Sequence, residues 1–265
     1  IYGTSNDTIL TNANGCDSTA VLNLTINQAD TSYTNITACD SLVWNGTTYD
    51  SSGTYSYSGG NNNYSMSFDG VDDYIEIPDN NSLDPGQNNF TISTWIKFNS
   101  LGNDRAVIDY LDMSGISFAR LNFRKNNLDQ LHLSLKDDNG LYYTCMSSVT
   151  ISDYNWHFLS VVFDYNNMTT NFYIDGQSVN SNITQSQLSV GINPGGIIQI
   201  GSYGGGANTL FTDAQISSIQ VWHQTLTQQE IQNYMNCPPT GNESGLVGYW
   251  NFEEGSGNTC CKTLQ

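Results

Sequence analysis

The sequence predicts an all-β fold of short strands joined by polar turns. Asn, Thr, Ser, Gly and Tyr dominate the composition, whereas the mixture of Ala, Leu, Glu and Lys that is typical of helices is scarce. Apolar and polar residues alternate in many short segments, such as residues 90–98, and this is the pattern of a strand with one buried face. Turn dipeptides such as Asn45-Gly46 and Asp175-Gly176 separate the segments and favour hairpins.

The charge of the chain argues against several classes of partner. Asp and Glu number 25 against 7 Lys and Arg, so the net charge is -18 and the pI is about 4.1. Nucleic acid and anionic membrane surfaces repel such a chain, and we expect neither as a partner. The sequence contains no run of eighteen apolar residues, so we expect no membrane insertion.

Six cysteines favour an oxidising location: Cys16, Cys39, Cys145, Cys237, Cys260 and Cys261. Their spacing includes no paired CxxC motif of a zinc site, and cysteines in an acidic, strand-rich chain are typical of extracellular proteins. We therefore expect a secreted or cell-surface protein with disulfides, whose pairing the spacing leaves open. The first residues lack the charged and apolar regions of a signal peptide, so we expect an internal or processed part of a longer multi-domain chain.

The first sixty residues differ in character from the rest. No Lys or Arg occurs before Lys97, and the triplet Cys16-Asp17-Ser18 recurs as Cys39-Asp40-Ser41. The segment from Trp44 to Tyr49 reads strand, Asn-Gly turn, strand, and predicts a hairpin. These motifs resemble the tandem repeats of large bacterial surface adhesins. The resemblance implies that residues 1–29 end one β-rich repeat, and that residues 30–60 hold part of the next repeat and a linker.

From Tyr64 onward the hydrophobic period is two residues and turns recur regularly, which predicts the strands of a sandwich. The predicted strands cover residues 66–68, 74–78, 90–98, 131–135, 141–143, 156–163, 171–174, 197–200 and 216–222. Thr227 and Glu230 have the spacing of a capping box, which predicts one short helix that ends near Met235.

Five motifs, taken in order, resemble the laminin-G-like, concanavalin-A-like jelly roll that is related to pentraxins. They are Phe68-Asp69-Gly70 with its following strand, residues 90–96, residues 155–163, residues 172–176, and residues 216–222 leading into 226–231. The resemblance covers about residues 64–235 and implies a jelly-roll sandwich of two antiparallel sheets, with the domain at residues 61–256. It implies less about function, because this fold serves many unrelated binding tasks.

Residues 246–255 resemble a strand that usually precedes the Phe-Asp-Gly motif in this family, although here they follow it. They either close this jelly roll from behind or open a following module, and closure is the expected outcome. Residues 257–265 fit neither the family nor the repeat, so we expect a truncated or disordered tail.

The resemblance also implies a structural Ca²⁺ site. Jelly rolls of this family often hold this ion, and Asp69 matches the position that contributes a hard oxygen ligand. The acidic residue expected in the later motif is replaced by Ser217, so Asp213 or backbone carbonyl groups are the expected substitutes, with Asp72 and Asp73 as further candidate ligands. In the competing interpretation these aspartates only form turns.

The aromatic residues divide into core and ligand candidates. The tryptophans of the predicted strands, Trp95, Trp156, Trp222 and Trp250, are interpreted as packing residues. Aromatic residues that stack on a sugar are expected on loops or on an exposed sheet face, and the candidates are Tyr110, Tyr142, Tyr143 and Tyr203. Tyr203 opens a glycine-rich segment that also contains the candidate Asn208, and glycine allows a ligand to approach the backbone closely.

Three polar residues alternate on one predicted strand: Arg120, Asn122 and Arg124, opposite Leu121 and Phe123. They either receive groups of an acidic glycan or are simply solvated. The histidines, His132, His157 and His223, have no acidic or Cys partners at metal spacing, so packing or surface roles are expected.

The residues argue against an enzyme. Retaining glycosidases with this fold present two carboxylates about 5 Å apart on one strand face, and the sequence has no Glu-x-Asp-x-x-Glu run that would place them so. Glu253 and Glu254 are adjacent, so on a strand they point to opposite faces. We therefore expect a non-catalytic module that binds a glycan or an extracellular protein within a bacterial surface adhesin. A purely structural spacer and an accessory carbohydrate-binding domain of a larger hydrolase are the alternatives.

Overall fold

The computed structural model describes residues 64–78, 80–112, 119–204 and 210–252, together with the backbone of four short strands that precede them. The chain divides into two compact units, Ile1–Ser52 and Gly53–Gln265. The predicted boundary between repeat and jelly roll, at residue 60, lies a few residues beyond this division.

Twenty strands and one helix are described. In chain order they are β1 (Ile9–Thr11), β2 (Asp17–Thr19), β3 (Leu42–Trp44), β4 (Thr47–Tyr49), β5 (Met66–Asp69), β6 (Ile75–Ile77), β7 (Phe90–Phe98), β8 (Arg105–Asp112), β9 (Ala119–Lys125), β10 (Gln130–Lys136), β11 (Tyr142–Thr150), β12 (His157–Asp164), β13 (Thr169–Ile174), β14 (Gln177–Val179), β15 (Ser181–Ser186), β16 (Gly195–Ile200), β17 (Ser202–Tyr203), β18 (Leu210–Phe211), β19 (Asp213–Trp222), α1 (Gln228–Asn236) and β20 (Leu246–Trp250).

The smaller unit contains two antiparallel pairs, β1 with β2 and β3 with β4. Trp44 is the register partner of Thr47, so the hairpin predicted between these residues is confirmed. The resemblance of this unit to adhesin repeats stays a prediction.

The larger unit is a sandwich of two seven-stranded antiparallel sheets, so the predicted all-β jelly-roll class is confirmed. The first sheet, named here the polar-faced sheet, has the strand order β15-β11-β10-β9-β8-β16-β6. The second, named the helix-covered sheet, has the order β14-β13-β12-β7-β19-β20, and β5 pairs with the first part of β19.

The inner faces of the two sheets enclose one apolar core, because side chains alternate between the two faces of each strand. Phe123 of β9 stacks on Phe172 of β13, with ring centroids 6.5 Å apart. Tyr143 of β11 meets the ring of Phe163 on β12 edge-on, with centroids 4.9 Å apart. Each pair contains one residue from each sheet, so these contacts help to set the distance between the two sheets.

The C-terminal strand β20 closes the helix-covered sheet. It pairs with the second part of β19, where Ile219 lies opposite Trp250, while β5 pairs with the Asp213–Ile216 part of the same edge. Trp250 is 2% exposed and belongs to the main core. Residues 246–250 therefore close this jelly roll as its C-terminal strand, which is the expected outcome.

The helix α1 covers the outer face of the helix-covered sheet. It begins with the predicted capping box, in which the N–H of Glu230 donates to Thr227 Oγ1 and the Glu230 carboxylate accepts from the N–H of Thr227. The buried Ile231 and the ring contact between Tyr234 and Trp222, with centroids 4.6 Å apart, attach the helix to a second apolar cluster. The predicted short helix is confirmed, and it ends one residue later than expected.

The predicted packing role holds for three of the four tryptophans. Trp222 and Trp250 are buried, and Trp95 is half-buried against the C-terminal end of the helix, where its Nε1 donates to the carbonyl oxygen of Met235. The prediction for Trp156 is wrong, because this residue lies in the loop before β12 and is 37% exposed.

Of the described cysteines, Cys145 is a buried free thiol and Cys237 is an exposed one, so neither forms a disulfide within the described part of the chain. The remaining four cysteines lie outside the described residues. The helix of the larger unit is too short and too polar to cross a lipid bilayer, and the described residues contain no other helix.

A charged triad ties the start of β12 to the turn after β13. His157 Nδ1 lies 2.9 Å from Asp175 Oδ2, and His157 Nε2 lies 3.1 Å from Asp153 Oδ1. The other oxygen of Asp175 accepts the N–H of Phe158 at 2.9 Å. Burial lowers the pKa of His157, but the hydrogen bonds and charges of Asp175 and Asp153 outweigh burial and raise it above the ordinary value. The spacing of acidic residues in the sequence did not reveal these two carboxylate partners of His157.

We expect His157→Gln to destabilise the protein most at acidic pH. A raised histidine pKa contributes stability that is fully present below the unfolded-state value and is lost as the pH rises through the folded-state value. The melting temperature of the variant should therefore fall by a few degrees at about pH 5.5 and by much less at about pH 8.5. Thermal unfolding at both pH values checks this, and an equal loss at both would contradict it.

Candidate functional site

The outer face of the polar-faced sheet, opposite the apolar core, carries polar side chains in register across several strands. Strand β9 places Arg120, Asn122 and Arg124 on this face, because its alternate residues Leu121 and Phe123 are buried in the core. The predicted alternation on this strand is therefore confirmed. On β10, His132 is the register partner of Arg124, and Ser134 is the partner of Asn122. Register partners point to the same side of a sheet, so these side chains share one surface.

A row of polar residues crosses this face at the level of Asn122. The register runs from Gln199 on β16 through Asp109 on β8 to Asn122, and continues through Ser134, Thr144 and Gln185 on β10, β11 and β15. Asp109 and Asn122 are fully buried, Ser134 and Thr144 are half-buried, and Gln185 is exposed. On the other side, Gln199 is the register partner of the exposed Glu76 on β6, so the row is covered in its middle and opens to solvent toward both β6 and β15.

Asp109 is a buried carboxylate with one free oxygen. Its Oδ2 accepts the N–H of Gly204 at 2.9 Å, whereas its Oδ1 makes no hydrogen bond with any described residue. Burial raises the pKa of Asp109 to about 7, although the Gly204 N–H, the Asn122 amide and the charge of Arg124 all lower it. The energetic cost of ionising a carboxylate in this position is the reason for the shift.

Asn122 on β9 and His132 on β10 also have buried polar side-chain atoms without hydrogen-bond partners among the described residues. Asn122 Oδ1 accepts a hydrogen bond from Arg124 Nη1 at 2.8 Å. The Asn122 amide faces Asp109 and lowers its pKa, but its Nδ2 is too poorly aligned to count as a full hydrogen bond to that carboxylate. His132 is 8% exposed, and neither of its ring nitrogens has a partner. Burial and the charge of Arg124 lower the pKa of His132 to about 3, so the ring is neutral at physiological pH. Asp109, Asn122, Arg124 and His132 are named here the polar cluster.

An aromatic ring borders the polar cluster. The guanidinium carbon of Arg124 lies 4.8 Å from the ring centroid of Tyr203, and Arg124 Nε lies 3.3 Å from Asp104 Oδ1. Tyr203 is half-buried and belongs to β17, whose partner strand β18 carries Phe211 in contact with Tyr74, with ring centroids 6.2 Å apart. Gly204, whose N–H donates to Asp109, directly follows Tyr203 in the chain. The hairpin of β17 and β18 therefore positions both the Tyr203 ring and the Asp109 carboxylate.

The other end of the face carries a second arginine. Arg120 Nη1 donates to the carbonyl oxygen of Asp137 at 2.6 Å and lies 3.7 Å from Asp138 Oδ1. Lys136 on the adjacent strand lies with its Nζ 5.6 Å from the ring centroid of Tyr142, which is 36% exposed. The face therefore has a tyrosine and a basic residue near both of its ends.

The structure brings together four of the predicted ligand-binding residues: Arg120, Arg124, Tyr142 and Tyr203. The prediction for Tyr110 is wrong, because this residue is 1% exposed and points into the core from β8. The prediction for Tyr143 is wrong for the same reason, since it is fully buried against Phe163. Asn208 lies outside the described residues.

Sequence reasoning missed Asp109, and it gave His132 a general packing or surface role. A signal for Asp109 was present, because an aspartate in the middle of the apolar segment Ala106 to Leu111 is unusual: charged residues are almost never fully buried without a partner. His132 alternates with three leucines, which places it on the outer face of β10, but its burial depends on tertiary packing.

The expected calcium ligands lie on another part of the molecule. Asp69 and Asp213 are register partners on β5 and β19, but Asp213 Oδ1 accepts Asn99 Nδ2 at 3.0 Å, and this carboxylate is not part of an acidic group. Asp69, Asp72 and Asp73 instead present exposed carboxylate oxygens within 4.8 Å of one another. Their hard oxygen atoms suit Ca²⁺ chemically. The expected ion stays a prediction, with Asp72 and Asp73 in the place of Asp213.

Comparison with families of known proteins agrees with the observed fold. Residues 68–232, more than half of the chain, match the laminin G model of the concanavalin A-like lectin/glucanases superfamily. The chain belongs to this superfamily. A search of curated proteins found no match to this concanavalin A-like chain.

Solved structures include several with related architecture. A candidate carbohydrate-binding protein from Bacteroides ovatus is 15% identical, with a TM-score of 0.55, and the alignment covers 74% of this concanavalin A-like chain and 53% of that protein. A heptameric SAP-like pentraxin from Limulus polyphemus is 15% identical, with a TM-score of 0.51 and coverage of 75% and 94%. The sialidase CBM40 of Ruminococcus gnavus bound to α2,3-sialyllactose is 12% identical, with a TM-score of 0.46 and coverage of 63% and 94%. The first two show a shared fold, and this chain spans about half of the Bacteroides protein.

Proposed function

We propose that the larger unit is a non-catalytic module that binds a glycan through the outer face of the polar-faced sheet. One observation carries the proposal: among the described residues, Asp109, Asn122 and His132 have buried side-chain polar atoms without hydrogen-bond partners, and Arg124, which donates to Asn122 and is the register partner of His132, lies 4.8 Å from the ring centroid of Tyr203. Buried polar atoms are normally hydrogen-bonded, and leaving them unpaired costs free energy. Sugar hydroxyls supply both donors and acceptors, and sugar rings pack on aromatic side chains, so a glycan satisfies this set of groups.

The same observation favours binding over the spacer role. A spacer needs only a stable fold, and an apolar residue in the place of Asp109 would pack there without a desolvation cost. Residues that lower stability concentrate at functional sites, because their benefit arises when a ligand binds. Membership of a superfamily that includes lectins is compatible with this interpretation.

The surroundings of Asp109 support a non-catalytic role. Its register partners on the adjacent strands are Gln199 and Asn122, which are both amides. Retaining glycosidases need two carboxylates about 5 Å apart, and the two strands adjacent to Asp109 present none at this level. The next carboxylate along the row is that of Glu76 on β6, two strands away and therefore at roughly twice the strand spacing of about 4.8 Å. We therefore propose binding without hydrolysis.

The proposed biological setting is the exterior of a bacterial cell. Acidic composition and the adhesin-like motifs of the first sixty residues support a secreted, multi-domain surface protein. In such a protein, repeated modules raise the effective concentration of weak binding sites. An accessory carbohydrate-binding domain of a larger hydrolase would use the same face.

A glycan array tests the proposal, with the protein presented in Ca²⁺ and in EDTA. We expect Tyr203→Ala to weaken binding of any glycan captured by the parent protein by about tenfold, because an aromatic contact of this kind contributes about 1–1.5 kcal/mol. Tyr154→Ala is the matched control, since Tyr154 is 55% exposed in the loop before β12, away from this face.

Four outcomes separate the hypotheses. Loss of binding in Tyr203→Ala with normal binding in Tyr154→Ala supports the proposed face. Equal loss in both variants contradicts it, and the absence of any bound glycan for a folded protein favours the spacer. Binding that disappears in EDTA would place the ligand at the exposed aspartates near Asp69.

A further inference from the structure

We propose that two copies of this chain associate through one end of the helix-covered sheet, with Lys97 of each copy against the acidic turn of the other. The acidic turn is the segment of residues 69–74, which joins β5 to β6. This surface belongs to the sheet that does not carry the polar cluster, so the inference goes beyond the proposed glycan site and does not depend on it.

Lys97 is a cation without an acidic partner among the described residues. It is half-exposed on β7 and forms neither an ion pair nor a hydrogen bond with any of them. The other described basic side chains each have a polar, ionic or aromatic contact: Arg105, Arg120, Arg124, Lys125 and Lys136. The chain has 25 acidic and 7 basic residues, so an unpaired lysine is unexpected. It is available to a carboxylate of another molecule.

Lys97 lies on the outer face of its sheet, because its neighbours Ile96 and Phe98 are buried in the main core. Its register partner on β19 is Gln215, which in turn pairs with the exposed Ser67 on β5. Register partners lie on the same side of a sheet. An uncharged level of the outer face therefore extends from Lys97 to β5.

Exposed aromatic residues border Lys97 on the side of β12. The pairing of β12 with β7 extends to His157 and Ile96, so Trp156, the residue before His157, is level with Lys97. Trp156 is 37% exposed, and Tyr154 is 55% exposed in the same loop. Trp and Tyr are enriched at protein interfaces and contribute much of their binding energy. The two rings therefore supply apolar contact area next to the unpaired charge.

Hydrogen bonds order the loop that carries these two rings. Asp153 Oδ1 accepts the N–H of Asn155 at 2.7 Å and lies 3.1 Å from His157 Nε2. A loop that is already ordered loses little conformational entropy when a partner binds. The exposed rings are therefore presented to a partner at low entropic cost.

The acidic turn has the complementary character. Carboxylate oxygens of Asp69, Asp72 and Asp73 are exposed and lie within 4.8 Å of one another, and none of the three residues forms an ion pair with a described residue. In the same turn, Val71 is 68% exposed and Tyr74 is 46% exposed. The turn presents anionic and apolar groups together, which matches a surface with a free cation and exposed rings.

The positions of the two surfaces favour a two-fold arrangement. Strands β5 and β7 both pair with β19, so the acidic turn and Lys97 lie about two strand spacings apart, on the order of 10 Å. This separation is too long for an ion pair within one copy. A two-fold axis between the surfaces places Lys97 of each copy against the acidic turn of the other, and both contacts form at once. Val71 and Tyr74 then pack against the rings of Trp156 and Tyr154.

The net charge of each copy, -18, opposes association in general. At physiological ionic strength, however, charges more than about 8 Å apart are largely screened. Contacts between adjacent charges therefore decide where two copies can meet, and the two-fold arrangement contains two favourable contacts of this kind.

Sedimentation velocity of the full chain, in EDTA and about 150 mM NaCl, tests the association. EDTA keeps divalent cations away from the acidic turn. We expect the parent protein to form a reversible dimer with a Kd in the micromolar range, which is typical of a small transient interface. Lys97→Glu and the double variant Asp72→Lys/Asp73→Lys should each raise the Kd at least about tenfold, because like charges then face each other.

An equimolar mixture of these two variants is the decisive sample. Opposite charges meet again at both contacts of a mixed dimer, so its Kd should lie within about threefold of the parent value. Asn171→Glu is the matched control, because it adds a negative charge at an exposed position of β13 in the same sheet, and it should leave the Kd unchanged.

A parent protein that stays monomeric at about 300 μM would overturn the inference. A dimer that persists in both charge-reversed variants would overturn it as well, and so would a loss of the dimer without recovery in the mixture. Each of these outcomes leaves the glycan proposal intact, because its face lies on the other sheet.

Discussion

Asp109→Asn is expected to lose glycan binding and to gain stability at alkaline pH. The carboxylate is fully buried, and one of its oxygens has no hydrogen-bond partner among the described residues. Asn is nearly isosteric, and its own oxygen can still accept the Gly204 N–H. Its amide nitrogen, however, is a donor where the ligand hydroxyl needs an acceptor. Binding should therefore fall at least about tenfold.

The gain in stability follows from the raised pKa of Asp109. Burial raises this pKa to about 7, so between the unfolded-state value of 3.8 and about 7 the folded protein binds a proton that the unfolded chain releases. The free energy of unfolding of the parent protein thus decreases as the pH rises through this window and is lowest above it. Asn cannot ionise. The variant should be more stable than the parent by about 2 kcal/mol at about pH 8 and by much less at about pH 5.

Urea denaturation at both pH values measures the stability, and calorimetry with a bound glycan measures the affinity. If the Asp109 carboxylate instead stabilised the fold, its replacement by Asn would lower the free energy of unfolding and leave glycan affinity unchanged. If Asp109→Asn loses stability at pH 8 and still binds the glycan normally, the proposed role of Asp109 in ligand binding is contradicted. Asp164→Asn, in a turn at the end of β12, is the matched control and should leave the affinity unchanged.

The alternation of β9 predicted its polar face correctly. On β8 the sequence did not predict which side chains face the core, and the reason is physical. On β9, polar residues alternate with Leu121 and Phe123, so the buried face is evident in the sequence. Ala106 to Leu111 on β8 are all buried, because the hairpin of β17 and β18 packs on the outer side of the strand. Without alternation, the sequence does not show whether Asp109 or Tyr110 faces the core.

Irregular register adds to this difficulty. The pairing of β8 with β9 shifts between Ala106 and Ile108 and again between Tyr110 and Leu111. A shift of one residue reverses the direction of every later side chain relative to its partners. The face of the sheet on which Tyr110 lies therefore could not be derived by counting residues from its neighbours. The polar cluster is also assembled from strands and a hairpin that are distant in sequence, so its composition required the fold.

The second large effect is expected at a buried lysine in the same sheet. Lys125 ends β9 on the core side and is fully buried, and its Nζ forms an ion pair with the Asp129 carboxylate. The same Nζ donates to the carbonyl oxygen of Asn103 at 3.2 Å and lies 5.2 Å from the ring centroid of Phe98. Asp129 also accepts the N–H of Gly102, so this ion pair joins two loops at one end of the sandwich.

Lys125→Met should destabilise the protein by about 3–5 kcal/mol, because it leaves the Asp129 carboxylate without its cation in a mostly buried position. Met fills a similar volume, so the loss does not arise from a cavity. Lys97→Met on β7 is the matched control, since Lys97 is half-exposed, and it should change stability by less than about 0.5 kcal/mol. Urea denaturation measures both variants.

A double variant separates the charge from the packing. If the unpaired carboxylate causes the loss, adding Asp129→Asn to Lys125→Met should restore part of the stability, because the remaining amide is neutral and can still accept the Gly102 N–H through its oxygen. If the lysine acts mainly through its contact with the Phe98 ring, the second substitution brings no recovery and instead adds the loss of another polar contact. The sign of the coupling energy in this cycle therefore decides whether a buried ion pair or an aromatic contact holds the end of β9 in place.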